Sequence, residues 1–212
     1  YHSYSDDPQG HRQTLQTIDT FLRATSLTPE LINGEWGREL PNGLSGDPVY
    51  STIEHGLFRA EVMTLMQEFD VKIAHEALIR DPAALPDSLG LLSTGPAAHK
   101  PVSQTYLGLG LLNDTLDALQ ITAPTGLSVL AGRNAGGTKV VVAHVVSHDG
   151  ADADVDISIR NLPWGAGGFT LNRYEVTESG GLQQVEQASL SGGEFRQALT
   201  VGGNGVGRLV VW

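Results

Sequence analysis

The sequence contains no cysteine, which excludes a disulfide scaffold, a thiolate metal centre and a cysteine nucleophile. Cationic side chains are scarce: 13 Lys+Arg, only three of them lysine, stand against 24 Asp+Glu for a formal charge of −11. A surface this acidic repels phosphate backbones and anionic headgroups, so neither nucleic acid nor membrane is an expected partner. Long apolar runs are also missing. The longest, Val140 to Val146, is interrupted by His144, falls short of the ~18 residues of a membrane span and reads as a strand. Nor does the chain open on the basic and apolar stretches of a secretory leader; Tyr1-His2-Ser3-Tyr4 reads as the middle of a protein. What is present is 212 residues, 40% hydrophobic, with 26 Gly and 10 Pro, enough for one large domain or two modest ones.

The character of the chain changes near residue 120, which divides it into domains 1–119 and 120–212. In the first part Leu15, Ile18, Phe21 and Leu22 recur at helical spacing between Gly10 and the stop at Leu27-Thr28-Pro29, which predicts a helix starting at Gly10. A short strand over Glu30 to Gly37 follows, then a Pro/Gly-rich loop from Leu40 to Pro48. Tyr50, Ile53, Leu57, Val62, Leu65, Met66 and Phe69 mark an amphipathic helix. Val71 to Leu78 is a second strand, and Val102, Tyr106, Leu109, Leu112 and Leu116 mark a third helix, Pro101 to Leu119, after a Pro-rich loop. Helices alternating with short strands argue for a parallel sheet or barrel. In the second part seven Gly-punctuated strands are expected: Leu127 to Gly132, Thr138 to Ser147, Asp154 to Asn161, Thr170 to Val176, Gln183 to Gln187, Glu194 to Val201 and Val206 to Trp212. That number in about ninety residues suits an antiparallel β-sandwich.

The chemistry concentrates at strand tips. Leu31-Ile32-Asn33-Gly34-Glu35-Trp36-Gly37 delivers a carboxylate and an aromatic ring at the end of an apolar strand, the end at which (β/α) barrels build active sites. A carboxylate there, beside a ring able to stack on a sugar face, suits attack on an anomeric carbon; the plainer reading is a surface Glu capping a strand. At the chain start, Tyr4 could orient a nucleophilic carboxylate and His2 could bond sugar hydroxyls, or both could belong to a frayed terminus. His75 and Glu76, at the next tip, could hold vicinal hydroxyls or serve structure. His144 and His148 share strand parity without an evident third ligand, so no metal site is expected. His55 reads as a packed or polar-face helix residue, and Trp164 as a sandwich-edge aromatic in preference to a sugar platform. The Gly202-to-Gly207 run opens no helix and is a turn, not a phosphate cradle. The absence of Gly-x-Ser-x-Gly weighs against an α/β-hydrolase.

The His2-Ser3-Tyr4 tip, the Asn33-Gly34-Glu35-Trp36-Gly37 tip, and a helix-rich part running into a seven-strand sandwich together resemble the retaining glycoside hydrolases of the (β/α)8 clan A. They are most similar to family 39-like members such as β-xylosidases and α-L-iduronidases. The resemblance implies an α/β plus all-β chain: strands six to eight of a TIM barrel, carried on His2–Tyr4, Leu31–Gly37 and Val71–Leu78, followed by an accessory antiparallel sandwich. It implies that Glu35 is the nucleophile, that His2, Tyr4, Asn33, Trp36, His75 and Glu76 shape the sugar subsite, and that no cofactor takes part. The family's acid/base Glu follows the fourth strand, so a companion polypeptide is expected to supply strands one to five and that group; three strands alone would leave edges and barrel interior bare. The expected function is hydrolysis of O-glycosidic bonds of an oligo- or polysaccharide, with a non-catalytic carbohydrate-binding or structural protein on a degenerate barrel as the alternative. Acidity with few lysines fits a secreted or periplasmic setting.

Overall fold

The computed structural model describes residues 1–5, 7–38, 52–76, 117–118, 128–146, 153–176, 181–201 and 208–211; within these, side chains at 76, 117–118, 141–146, 153–155, 199–201 and 208–211 are not described. The chain divides into two compact units, Tyr1–Ser103 and Gln104–Trp212.

The first unit runs β1 (His2–Ser5), α1 (Pro8–Thr25), β2 (Leu31–Arg38), α2 (Ile53–Glu68) and β3 (Val71–Glu76). Its three strands form one parallel sheet in the order β1-β2-β3, so each helix is the crossover between neighbouring strands. Asp7-Pro8 sets the start of α1. The Asp7 carboxylate accepts from the Gln9 and Gly10 backbone N–H groups, and Pro8 occupies the first turn, where no N–H is needed. The helix therefore begins before Gly10, and it ends on Ser26 in the left-handed conformation (φ 55°). Gly10 lets α1 approach β1: a Cβ there would sit 2.7 Å from Ser5 Cβ and closer still to its hydroxyl. α2 is buried around most of its circumference. Leu57, Phe58, Ala60, Val62, Leu65 and Met66 pack alongside two buried polar residues, His55 and Arg59. The expected loops over 40–48 and 79–100 lie outside the described residues.

The second unit is antiparallel. β4 (Asp117–Ala118), β5 (Ser128–Arg133), β6 (Val140–Val146), β11 (Arg208–Val211), β8 (Gly168–Val176) and β9 (Gln183–Ser191) form a six-stranded sheet in that spatial order, while β7 (Ala153–Arg160) pairs with β10 (Glu194–Val201). Ala131, Ile157, Leu162, Leu171 and Phe195 come from both sheets and share one core. Trp164 packs against Phe169 at 5.4 Å between ring centroids and joins that core, so it is the packed aromatic expected and not a platform. β9 runs four residues past its expected end, held in register with β8 as far as Ser191↔Gly168. The third helix was expected to reach residue 119. Asp117 and Ala118 instead pair with Arg133 and Gly132 of β5, because the helical stripe stops at Leu116 and the backbone beyond it completes the sheet edge. The second unit thus begins before residue 120; the rest of that helix lies outside the described residues, as does the Gly202-to-Gly207 turn.

Candidate active site

The site is built on an irregularity in β2. Asn33 pairs with Ala74 of β3 and Trp36 pairs with Glu76, so three steps along β2 match two along β3. The one extra residue is a β-bulge, which breaks strict alternation and re-aims side chains. Asn33 and Trp36 both turn to the helices. Asn33 Nδ2 donates to Ser3 Oγ at 3.1 Å, and the Trp36 ring lies edge-on to His11 of α1 at 6.4 Å and under the Arg59 guanidinium of α2 at 4.7 Å. Glu35, between them, projects from the opposite face. There it is the register partner of His2, and its Oε2 lies 3.5 Å from His2 Nδ1. Gly34 makes room for this pair, since a Cβ there would stand 2.9 Å from His2 Nε2. Tyr4, two residues along β1 on the same face, lies against Gly37, 3.3 Å from where a Cβ on that glycine would sit. His75 follows Ala74, the partner of Asn33, and so shares the face of Glu35; it is exposed. Ile32 and Ile73 lie on this face too, paired with one another and 43% and 46% exposed.

A buried polar chain supports the bulge from behind. The Glu35 backbone N–H donates to Asn33 Oδ1 at 3.2 Å, an Asx-type contact that serves a donor inside the irregular stretch. Asn33 donates to Ser3 Oγ, and Ser3 Oγ meets His11 Nδ1 at 3.0 Å. His11 Nε2 lies 3.1 Å from the Gly37 carbonyl. A carbonyl only accepts, so His11 carries its proton on Nε2, and Nδ1 accepts from the Ser3 hydroxyl. Ser3, Asn33 and His11 are each less than a tenth exposed. Burial lowers the His11 pKa below the ordinary imidazole value, the nearby Arg59 cation adding to it against the Gly37 hydrogen bond and the Asp7 charge. The neutral tautomer is therefore the native one.

Six of the seven residues expected at the site can be located. Glu35, His2, Tyr4 and His75 share one face of the sheet. Asn33 and Trp36 do not, and their expected contact with sugar is corrected: Asn33 is 0% and Trp36 1% exposed, both sealed beneath α1 and α2. The ordinary two-residue period puts Asn33 beside Glu35, and the bulge moves it away. For Glu76 the backbone pairs with Trp36, and its side chain lies outside the described residues, as do those of His144 and His148. His11, Ser3 and Arg59, which pack behind the bulge, were not assigned a role from the sequence. The available signal was a histidine on the apolar stripe of the first helix and an arginine inside the apolar run Leu57-Phe58-Arg59-Ala60.

No family model matches the sequence, and no curated protein matches it. Solved structures do. A glucosidase from Croceicoccus marinus superposes with a TM-score of 0.74 at 17% identity, covering 99% of this chain and 52% of the other. An α-L-arabinofuranosidase from Thermotoga maritima gives 0.61 at 14% identity over 100% of this chain and 52% of the other. A family 44 xyloglucanase from Paenibacillus polymyxa gives 0.58 at 11% identity over 93% and 35%. The chain spans about half the length of the first two structures and a third of the last. At these identities the likeness is one of fold: the chain folds like the corresponding part of these glycoside hydrolase structures.

Proposed function

We propose that this chain carries the nucleophile side of a retaining glycoside hydrolase, with β1, β2 and β3 as barrel strands six, seven and eight and the second unit as an accessory β-sandwich. The observation that carries the reading is the bulge in β2, which turns Glu35 alone of its stretch away from the helices and onto the face of His2, Tyr4 and His75. That the similar structures are those of a glucosidase, an α-L-arabinofuranosidase and a xyloglucanase supports the reaction class.

In the reaction Glu35 attacks the anomeric carbon as the glycosidic C–O bond breaks. A second carboxylic acid protonates the departing oxygen, then takes a proton from the water that releases sugar from Glu35. The two carboxyl groups stand about 5–5.5 Å apart in such sites. His2, beside Glu35, and His75 are assigned to bond sugar hydroxyls, Tyr4 to aim Glu35, and Glu76 to the same subsite. Strands one to five and the acid/base come from polypeptide outside these 212 residues. The exposed Ile32 and Ile73 support this, because the interior of a closed barrel is packed with branched apolar side chains. The grouping with family 39, a carbohydrate substrate and a secreted setting belong to the same proposal.

The test is turnover of aryl glycosides by the complete barrel. Glu35→Gln is expected to lower kcat by at least about 10³-fold with folding intact, comparable to losing other covalent nucleophiles, and the wild-type product is expected to keep its anomeric configuration. Tight sugar binding without phenol release would identify a binding module instead.

A further inference from the structure

We infer that His11, Ser3 and Asn33 are positioning residues for Glu35, acting through the hydrogen-bonded chain that runs from α1 across β1 to the bulge of β2. This rests on the reading of Glu35 as nucleophile. The geometry is specific. A bulge leaves ladder groups unpaired and can relax by a register slip. Here the Glu35 N–H is held by Asn33 Oδ1 at 3.2 Å, Asn33 is held by Ser3, and Ser3 by His11. The same imidazole binds Gly37 on the far side of Glu35 at 3.1 Å. One side chain thus ties down the strand both before and after the reactive carboxylate. None of the three can reach a substrate: Ser3 is 7%, His11 1% and Asn33 0% exposed, on the face away from His2 and Glu35. A purely apolar filling would pack α1 against β2 equally well, and a fully satisfied polar chain specifies one backbone arrangement where packing alone does not.

The chain works in one protonation state. Charging His11 gives Nδ1 a proton, so Ser3 Oγ would accept from both Nδ1 and Asn33 Nδ2 and its own hydroxyl proton would lose His11 as acceptor. The charged groups acting on His11 are Arg59 of α2 and Asp7 at the start of its own helix; the Phe58 ring lies edge-on to it, with His55 of α2 and Arg38 of β2 packed on that ring.

The experiment measures trapping of the nucleophile in the complete barrel with a 2-deoxy-2-fluoro aryl glycoside. Wild type, His11→Phe, Ser3→Ala and Asn33→Asp are compared at a temperature where each is folded by circular dichroism. Asn33→Asp keeps the acceptor for the Glu35 N–H and loses the donor to Ser3. The expected result is a trapping rate and kcat lowered about 10- to 100-fold in His11→Phe and Ser3→Ala, as for misplacement of a reacting group by a fraction of an ångström to one ångström, with KM changed less than threefold. The double variant should lose no more than the worse single one, because both cut the same chain. Asn33→Asp should fall between wild type and Ser3→Ala. Variants that trap at the wild-type rate per folded molecule, whatever their melting temperature, would overturn the inference. If wild type itself does not trap on Glu35, the underlying reading of the nucleophile fails instead, which keeps the two outcomes apart.

Discussion

Trp36, next to the proposed nucleophile Glu35, makes the contacts of a packing residue. It is buried between the sheet and both helices, with its carbonyl 3.5 Å from Arg59 Nη1 and its ring under the same guanidinium. Trp36→Ala is expected to lower unfolding free energy by about 3–5 kcal/mol, the range for removing a buried aromatic, and to leave the KM of the folded fraction unchanged. A raised KM with unchanged denaturant midpoint would place the ring in the sugar site after all. His11 carries a pH signature. Its folded pKa lies below its ordinary value, chiefly through burial. As pH falls below about 6.5 the unfolded chain binds a proton that the native one resists. The contribution of this group is therefore complete above the unfolded pKa and is lost as pH falls toward the depressed folded value. Urea midpoints from pH 8 to 5 should decline for wild type and decline less for His11→Phe; parallel slopes would remove His11 as their source.

At the scale of elements, the parallel sheet was legible because Leu15, Ile18 and Leu22 keep a helical period and Leu31-Ile32 and Val71 to Ala74 read as short strands between turn signals. The start of α1 was misplaced by two residues, although Asp7-Pro8 is the stronger signal, since a side-chain acceptor followed by a fixed φ begins a helix more sharply than Gly10 does. Seven of the eight strands in the second unit were readable from Gly-punctuated β-branched runs; Asp117–Ala118 was not, because two residues carry no period. The bulge was illegible for a different reason. Period-two reasoning assumes unbroken alternation, and nothing local in Asn33-Gly34-Glu35-Trp36 states that β2 gains a residue against β3. That irregularity accounts for Asn33, which unbroken alternation would put beside Glu35; Trp36 lies opposite its neighbour Glu35 by ordinary alternation. Gly10 allows a test of how tightly α1 is set against β1. Gly10→Ala improves helix propensity by about 1 kcal/mol, yet its Cβ would collide with Ser5 Cβ and Oγ. A net loss of about 1–3 kcal/mol from overpacking is expected, recovered when Ser5→Gly is added; a stabilised Gly10→Ala would mean that helix and strand stand further apart.

At the scale of the molecule, the face bearing Glu35 is the one with apolar side chains left open. Ile32 and Ile73 are nearly half exposed, whereas on the opposite face Ser3, Asn33 and Trp36 are buried beneath the helices. Substituting either with Ala should change the stability of residues 1–212 by no more than about 0.5 kcal/mol, as at other exposed sites, and should cost about 2–5 kcal/mol in the complete barrel, where they become core. Equal effects in both contexts would show that no further strands cover this face. The role of Glu35 as nucleophile is decided by where sugar becomes covalently attached. Peptide mapping by mass spectrometry of the complete barrel, after inactivation by gluco- and xylo-configured 2-deoxy-2-fluoro aryl glycosides, reads that directly. A single fluoroglycosyl increment on the Glu35 carboxylate is predicted; an increment on any other residue, or inverted product from an active enzyme that forms no adduct, would contradict it.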